Sequence, residues 1–499
     1  MPLPPRPALL DETLRIVARR YRLPDTPEAA LDAGPAAPSR HCTSMLAVSI
    51  DQARQALARS DTPPATVKQT FIDALAQLIG EAMRANQGDP AIQAMVLRHQ
   101  AVQVREYASL AAGAEPDRRE VVAAVNAIAH PAKLQRMPPG SQRDALAALQ
   151  AAASTSAWAA LSQAVERIDA LPDAESDSAM ARSLARLRDG PTLERLCRLD
   201  ALASDALVQR YQALWNRNGP RSGTPDAVAR GLAAQQRGAA VEAQAAKALQ
   251  ALAHRLNTEA SIAASTAAST AAASTEGSTA ASTEAPQGTT SRADVYRVVT
   301  SMHVPPELPG SADRAKSEWD AALLRRAGPP EAEPTWDVCL LVEAKASVDA
   351  ASTDFPRLLR GLQRLAQADA GVIYPFLSRQ GTVALRGASL STLPTLGLDL
   401  ASAVLYCCDA PADEPIDTPR LLNAACRMQL LSAPASVAYA SQLSLGLPAD
   451  AQALEAVWHG LLTSPQWAGV LNQYPLLHQV RALMVHTNDL FAATQHAGL

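Results

Sequence analysis

The sequence predicts a multidomain chain: an all-helical N-terminal half, a flexible Ala/Ser/Thr linker, and an α/β C-terminal domain with extra C-terminal helices. Three observations lead there. Apolar residues make up 48% of the 499 residues but aromatics only 4%, so the apolar content is mainly alanine and leucine, which suits helix packing. The stretch Thr258 to Ser291 repeats Ala-Ser-Thr, with only Glu259, Glu276 and Glu284 for charge. Such a stretch cannot offset its ordering entropy by burial, so it reads as a tether. After it the texture changes, most clearly in the apolar run Thr335 to Ser347, which reads as a buried strand.

Taken in order, residues 1–257 carry apolar side chains three and four apart through Val67 to Met83, Ala91 to Leu110, Arg118 to Ile128 and Ala227 to Leu256. Thr62-Pro-Pro, Gly88-Asp-Pro, Glu115-Pro-Asp, Met137-Pro-Pro-Gly and Gly219-Pro punctuate them. Residues 258–291 are the linker. In the domain at 292–417, Asp294 to Thr300 alternates as a strand and Ser311 to Arg326 reads as an amphipathic helix capped by Ser311. Asp337 to Ala346 is a strand and Asp354 to Ala368 a helix. Gly371 to Phe376, Thr382 to Leu385 and Ala403 to Cys408 supply further strands. Residues 418–499 return to a helical pattern.

Composition narrows the functional classes. A net charge of −4 and a pI near 6.2 exert no global pull on nucleic acid or an anionic membrane, so a polyanion site has to be local. The six cysteines form no C-x-x-C pair and several lie in apolar runs, which suits a reducing compartment and disfavours cysteine-ligated zinc. The opening Met-Pro-Leu-Pro-Pro-Arg-Pro resembles no signal peptide, and no apolar run reaches the ~18 residues of a membrane span. The expected location is cytoplasmic, with no membrane partner. The nine histidines make no His-x-x-x-His or His-Glu-x-x-His pair, and phosphate-loop, dinucleotide and Gly-x-Ser-x-Gly signatures are missing.

What remains is Glu343-Ala-Lys345 at the end of the apolar strand. Only five of the 45 basic residues are lysine, so a lysine kept here suggests a need for a compact, rotatable charge. Asp337, Glu343 and Lys345 occupy odd positions and so share one face of a regular strand. Oxygen ligands for a cation and an ammonium near a water nucleophile are what phosphodiester hydrolysis requires. The next helix adds Arg357, Arg360 and Arg364, spaced to form a stripe that contacts phosphates.

The segment Lys316-Ser-Glu318-Trp-Asp320, the following Asp337, the apolar strand ending in Glu343-x-Lys345 and the Arg-rich helix together resemble the PD-(D/E)xK nuclease superfamily over about residues 311–409. The resemblance implies a restriction-endonuclease-like fold, Mg²⁺ or Mn²⁺ held by an aspartate and the strand glutamate, and a lysine that positions or activates the attacking water. The expected function is a metal-dependent phosphodiesterase or nuclease, a hydrolase reaching nucleic acid through this domain.

The spacing departs from the family. Asp337 precedes Glu343 by six positions, roughly 20 Å in a straight strand, too far to share an ion whose ligands lie about 2.1 Å away. Either a bulge folds the strand back, or Glu318 or Asp320 on the preceding helix serves, with Asp313 as a further acid. The alternative from another class is a non-catalytic helical scaffold binding protein through its N-terminal half, with a degenerate nuclease-like fold. The helical half also resembles an uncharacterised bacterial family that carries the label 3-deoxy-D-arabino-heptulosonate 7-phosphate synthase. That enzyme class is built on β/α barrels, and the eight alternating strand and helix units it needs are missing from this sequence.

Overall fold

The computed structural model describes residues 5–27, 38–171, 178–219, 224–275, 295–328, 333–397, 399–410 and 421–497. Its N-terminal half is helical and its C-terminal part carries the sheet. By contacts the chain forms two compact units. One comprises residues 1–74, 225–429 and 458–499; the other comprises 75–224 and 430–457. This partition differs from a division at residues 257 and 292.

The second unit is a helical assembly. Its core gathers Val121 and Val125 from Val102–Ala129, Leu146 and Leu149 from Ser141–Ser154, and Trp158 and Leu161 from Trp158–Asp169. The expected helix Ala91 to Leu110 is broken at Ala101, whose extended backbone (φ −102°, ψ 122°) separates Pro90–Gln100 from Val102–Ala129. Conversely, Pro116, read from sequence as punctuation, lies inside Val102–Ala129. An interior proline removes a helical hydrogen bond and costs about 3 kcal/mol. Burial of Ala114, Val121, Ala124 and Val125 on the same helix offsets that loss.

The first unit is organised by a seven-stranded mixed sheet in the order β2-β1-β4-β5-β3-β6-β7. The strands are β1 Tyr296–His303, β2 Glu318–Ala327, β3 Thr335–Lys345, β4 Ile373–Ser378, β5 Gly381–Arg386, β6 Val404–Cys408 and β7 Met484–His486. Because β2 also pairs with β3, the strands β2-β1-β4-β5-β3 close into a small barrel, from which β6 and β7 extend as parallel strands.

Its principal helices are α1 Ala8–Ile16, α2 Pro225–Thr275, α3 Val348–Leu365, α4 Gln473–Leu483 and α5 Thr487–His496. One sheet face receives Leu9, Leu10, Leu249, Leu252 and Leu490 against Leu340, Val342, Leu405 and Val485. The opposite face packs Phe355, Leu358 and Leu362 of α3 against Trp319, Leu341 and Tyr406. Alternation along β3 therefore turns Glu343 toward α3, the same way as Leu341.

Two expectations need correction. The helix expected over Ser311 to Arg326 is instead a strand over its second part, so Glu318 and Asp320 stand on β2. Its run Ala321 to Leu324 is wholly buried because β2 lies between β1 and β3 with both faces covered, and a bulge falls between Leu323 and Leu324. A two-sided burial pattern lacks strict alternation and can imitate helical spacing. Secondly, α2 continues to Thr275, through the first part of the expected linker. Alanine sustains a helix already nucleated on the sheet, where Ala245, Leu249, Leu252 and Leu256 are buried. Residues 276–291 of that linker lie outside the described residues.

The expected strands at Asp294 to Thr300, Asp337 to Ala346, Gly371 to Phe376, Thr382 to Leu385 and Ala403 to Cys408 correspond to β1, β3, β4, β5 and β6. Helix α3 starts six residues earlier than expected, where the Ser347 hydroxyl accepts the Ala350 N–H at 3.1 Å. Strand β7 lies where only helices were expected. None of the six cysteines is disulfide-bonded, and among the described residues no helix is long and apolar enough to cross a membrane.

Candidate functional site

The site forms where β2 and β3 part. Their ladder runs from Ala327↔Thr335 to Ala321↔Val342. Just beyond the last pair, the Asp320 carboxylate accepts the Ala344 N–H at 2.7 Å, taking a donor the ladder no longer uses. Glu343 and Lys345 follow on β3, held in parallel register with Tyr406 and Cys408 of β6. The strand thus fixes the acid, β6 brings Tyr406 beside it, and α3 supplies Asp354.

Glu343 is fully buried, and two ammonium groups meet its Oε2: Lys345 Nζ at 3.2 Å, and Lys316 Nζ. Asp354 Oδ2 lies 3.6 Å from Lys345 Nζ and 3.8 Å from Lys316 Nζ, and it accepts the Tyr406 hydroxyl at 3.2 Å. Glu343 Oε1 has no hydrogen-bond partner. Burial, reinforced by the negative charge of Asp320, pushes the Glu343 carboxyl up to about 8. Its two lysine neighbours act in the opposite sense and do not overcome burial. Burial acts to lower the Lys345 pKa, but Glu343, Asp354 and Asp320 outweigh it and the net shift is upward. Glu242 of α2 also senses this centre: burial raises its pKa, and the charge of Asp320 adds to the rise.

Of the residues singled out from sequence, Glu343, Lys345 and Asp320 come together. Glu318, at the start of β2, lies 3.8 Å from His303 Nε2 and is half-exposed. Asp313 is exposed on the β1–β2 connection. Asp337 stands six residues from Glu343 on β3, its two oxygens engaged by Arg386 at 2.8 and 2.6 Å. Strand β3 does carry a bulge between Asp337 and Glu343, at Cys339, since Leu323 and Leu324 pair with Leu340 and Val338. It does not fold Asp337 back to Glu343, because both Asp337 oxygens are engaged by Arg386.

The arginine stripe of α3 has a different local use. Arg364 is buried and donates to the carbonyls of Pro305, Pro306 and Leu308. Arg360 donates to the Arg314 carbonyl at 3.0 Å, and Arg357 reaches Ser317 Oγ at 3.5 Å. All three hold the connection between β1 and β2.

Sequence reasoning did not assign roles to Lys316, Asp354, Tyr406 or Glu242. A usable signal existed for the first: Lys316 is another of the five lysines, so two of the five converge on one buried glutamate. The other three reach the site through tertiary packing.

A divalent cation fits the oxygen set in one respect: Glu343 Oε1 is buried and unpartnered, the charge of Asp320 acts on the same carboxyl, and Mg²⁺ commonly takes one or two protein carboxylates with water and substrate oxygens. Among the described residues, however, no group of three or more His, Cys, Asp or Glu is arranged to hold a metal. No protein-family model, curated protein or solved structure matches the chain.

Proposed function

We propose that this centre hydrolyses phosphodiesters in nucleic acid with the help of one or more divalent cations. The observation that carries the reading is the wholly buried Glu343, with one oxygen unpartnered, between Asp320 and Lys345 at the parting of β2 and β3. The succession of β1, β2 and β3 as antiparallel neighbours, then α3, then β6 parallel to β3, supports the resemblance to PD-(D/E)xK nucleases. With Asp320 in place of Asp337, the spacing difficulty disappears, since the acid comes from the neighbouring strand.

In this reading Asp320 and Glu343 would hold the ion, which would supply positive charge opposite the phosphate oxygens. Lys345, whose side chain is 19% exposed, donates a hydrogen bond to the attacking water or to the phosphate as charge develops. Asp354 keeps that ammonium aligned, and Tyr406 keeps Asp354 aligned. Arg357, exposed on α3, offers a phosphate contact on the approach.

The test is cleavage of single- and double-stranded DNA and RNA with Mg²⁺ or Mn²⁺, comparing the full chain with Asp320→Ala, Glu343→Ala and Lys345→Ala. Metal-dependent cleavage that falls at least about a hundredfold in each variant supports the reading. Cleavage that survives all three refutes it.

A second reading is favoured by one observation, the Lys316 ammonium on Glu343 Oε2. There the cluster is a structural ion-pair network and the fold a scaffold without catalysis. It requires that no substrate be cleaved and that no divalent ion bind at Glu343.

A further inference from the structure

We propose that the helical unit of residues 75–224 and 430–457 binds single-stranded nucleic acid, seating an unpaired base in a cleft walled by Tyr107, Tyr211 and Trp215. The site needs neither metal nor cleavage, so it stands or falls independently of the chemistry proposed at Glu343.

The helix Ala206–Asn218 carries Tyr211 and Trp215 one turn apart, and Val102–Ala129 brings Tyr107 beside them. Tyr211 meets Tyr107 edge to face at 6.4 Å and Trp215 at 6.1 Å, with interplanar angles of 78° and 77°. The cleft they line has a volume of about 500 Å³, enough for a planar ring system. Aromatic residues are scarce in this chain and its other tryptophans are used for packing. Trp158, Trp319, Trp336 and Trp458 are at most 6% exposed and Trp467 is half-buried, whereas Trp215 is 43% exposed. Its ring is therefore presented to a partner.

The polar groups of the cleft select the ligand. Gln212 Nε2 donates to the Tyr107 hydroxyl at 2.7 Å, which leaves the Gln212 carbonyl oxygen as an acceptor and the Tyr107 O–H as a donor. Asn218 adds an amide with both capacities. An aliphatic side chain would desolvate these groups without pairing them, and a cationic head would find no carboxylate among the lining residues. A base offers a π-face to the rings and donors and acceptors on its edge to the amides.

The same helix supplies charge for the backbone of such a strand. Arg210 and Arg217 are exposed two turns apart and line a neighbouring hollow with Leu207 and Leu214. Among the described residues neither is ion-paired, whereas Arg195 and Arg198 of this unit are held by Asp117 and Glu106. Stacking rings beside unpaired guanidinium groups are the combination that binds single strands.

The experiment is fluorescence anisotropy in chelator with labelled oligomers of deoxythymidine and of uridine, whose relative affinities name DNA or RNA as the source, and with an abasic oligomer of the same length. The full chain is compared with Trp215→Ala, Trp215→Phe and the double variant Arg210→Ala, Arg217→Ala. Trp215→Ala should weaken binding of the base-bearing oligomers about tenfold, and Trp215→Phe should restore most of it. The abasic oligomer should bind weakly and equally to the wild type and Trp215→Ala. The arginine variant should flatten the dependence of log K on log salt by about 0.7 per lost phosphate contact, which Trp215→Ala should not do. Wild-type affinity in Trp215→Ala, equal binding of the abasic oligomer by the wild type, or no binding of any oligomer at low salt overturns the proposal. An unchanged salt slope in the arginine variant overturns the path of the strand along Ala206–Asn218.

Discussion

The carboxylate of Asp337 is held at both oxygens by the guanidinium of Arg386, with the acid 2% exposed and Arg325 a further 4.0 Å away. This pair closes the end of β3 opposite Glu343, where β3 and β5 run in parallel register. Removing one partner of a buried pair costs about 3–5 kcal/mol because the other is left uncompensated. Asp337→Ala should therefore lower urea stability by roughly that amount, while cleavage per folded molecule stays within about threefold of the wild type. Urea unfolding alongside the cleavage assay checks both; a hundredfold activity loss in a folded Asp337→Ala protein would restore it as a ligand.

Gly361 and Gly238 give a paired test of the packing of α3 on Lys316. Both are helical glycines, and alanine in a helix is ordinarily about 0.5–1 kcal/mol better than glycine. At Gly238 nothing lies within 4 Å of an added Cβ, so Gly238→Ala should stabilise by about that amount. At Gly361 the same methyl meets Lys316 Cβ, and Gly361→Ala should destabilise by about 1–3 kcal/mol through overpacking. Chemical denaturation of the two variants should give opposite signs; stabilisation by both would refute that close approach.

Glu343 imposes a definite pH dependence. Its carboxyl sits near 8 in the folded protein against an ordinary value of 4.5, so between these limits the native state retains a proton that the unfolded chain has released. The native state is then favoured most below 4.5, and this contribution declines as pH rises toward 8. In chelator, the thermal midpoint of the wild type should fall with rising pH across this window relative to Glu343→Gln, which has no such proton to lose. Parallel curves for the two proteins would refute the assignment.

Much of this architecture was legible in the sequence, for reasons visible in particular residues. The run from Trp336 to Val342 is strongly apolar and ends in charge, so β3 and its terminal Glu343-Ala-Lys345 could be found without coordinates. The helical half followed from alanine, leucine and three-four spacing. Strand β2 did not, because Ala321 to Leu324 are buried on both faces and their pattern mimics a helix. Placing Asp320 on a helix hid its position opposite Glu343. Arg357, Arg360 and Arg364 do lie on one helix, α3, but spacing cannot reveal that Arg364 would turn inward to three carbonyls. Nor can local pattern show that Asp354, Tyr406 and Lys316 converge, since the sheet and α3 bring them together from separate segments.

Tyr406 gives a test of how Lys345 is aligned. Its hydroxyl is buried, and burial together with the charge of Asp354 drives its pKa well upward, so it keeps its proton and serves Asp354 as a donor. Hydrogen bonds to a charged group are worth about 1.5–3 kcal/mol. In Tyr406→Phe, Asp354 loses that bond and its Oδ2 is free to turn from its place 3.6 Å from Lys345 Nζ. The ring of phenylalanine fills the same volume, so the fold should survive. If Lys345 acts on the water or the developing phosphate charge, this variant should lower kcat about tenfold and leave KM within about twofold, because the loss falls on the transition state rather than on substrate binding. A rise in KM at constant kcat would instead place Tyr406 and Asp354 on the substrate-binding side, and an unchanged kcat/KM would show that Lys345 is aligned without them.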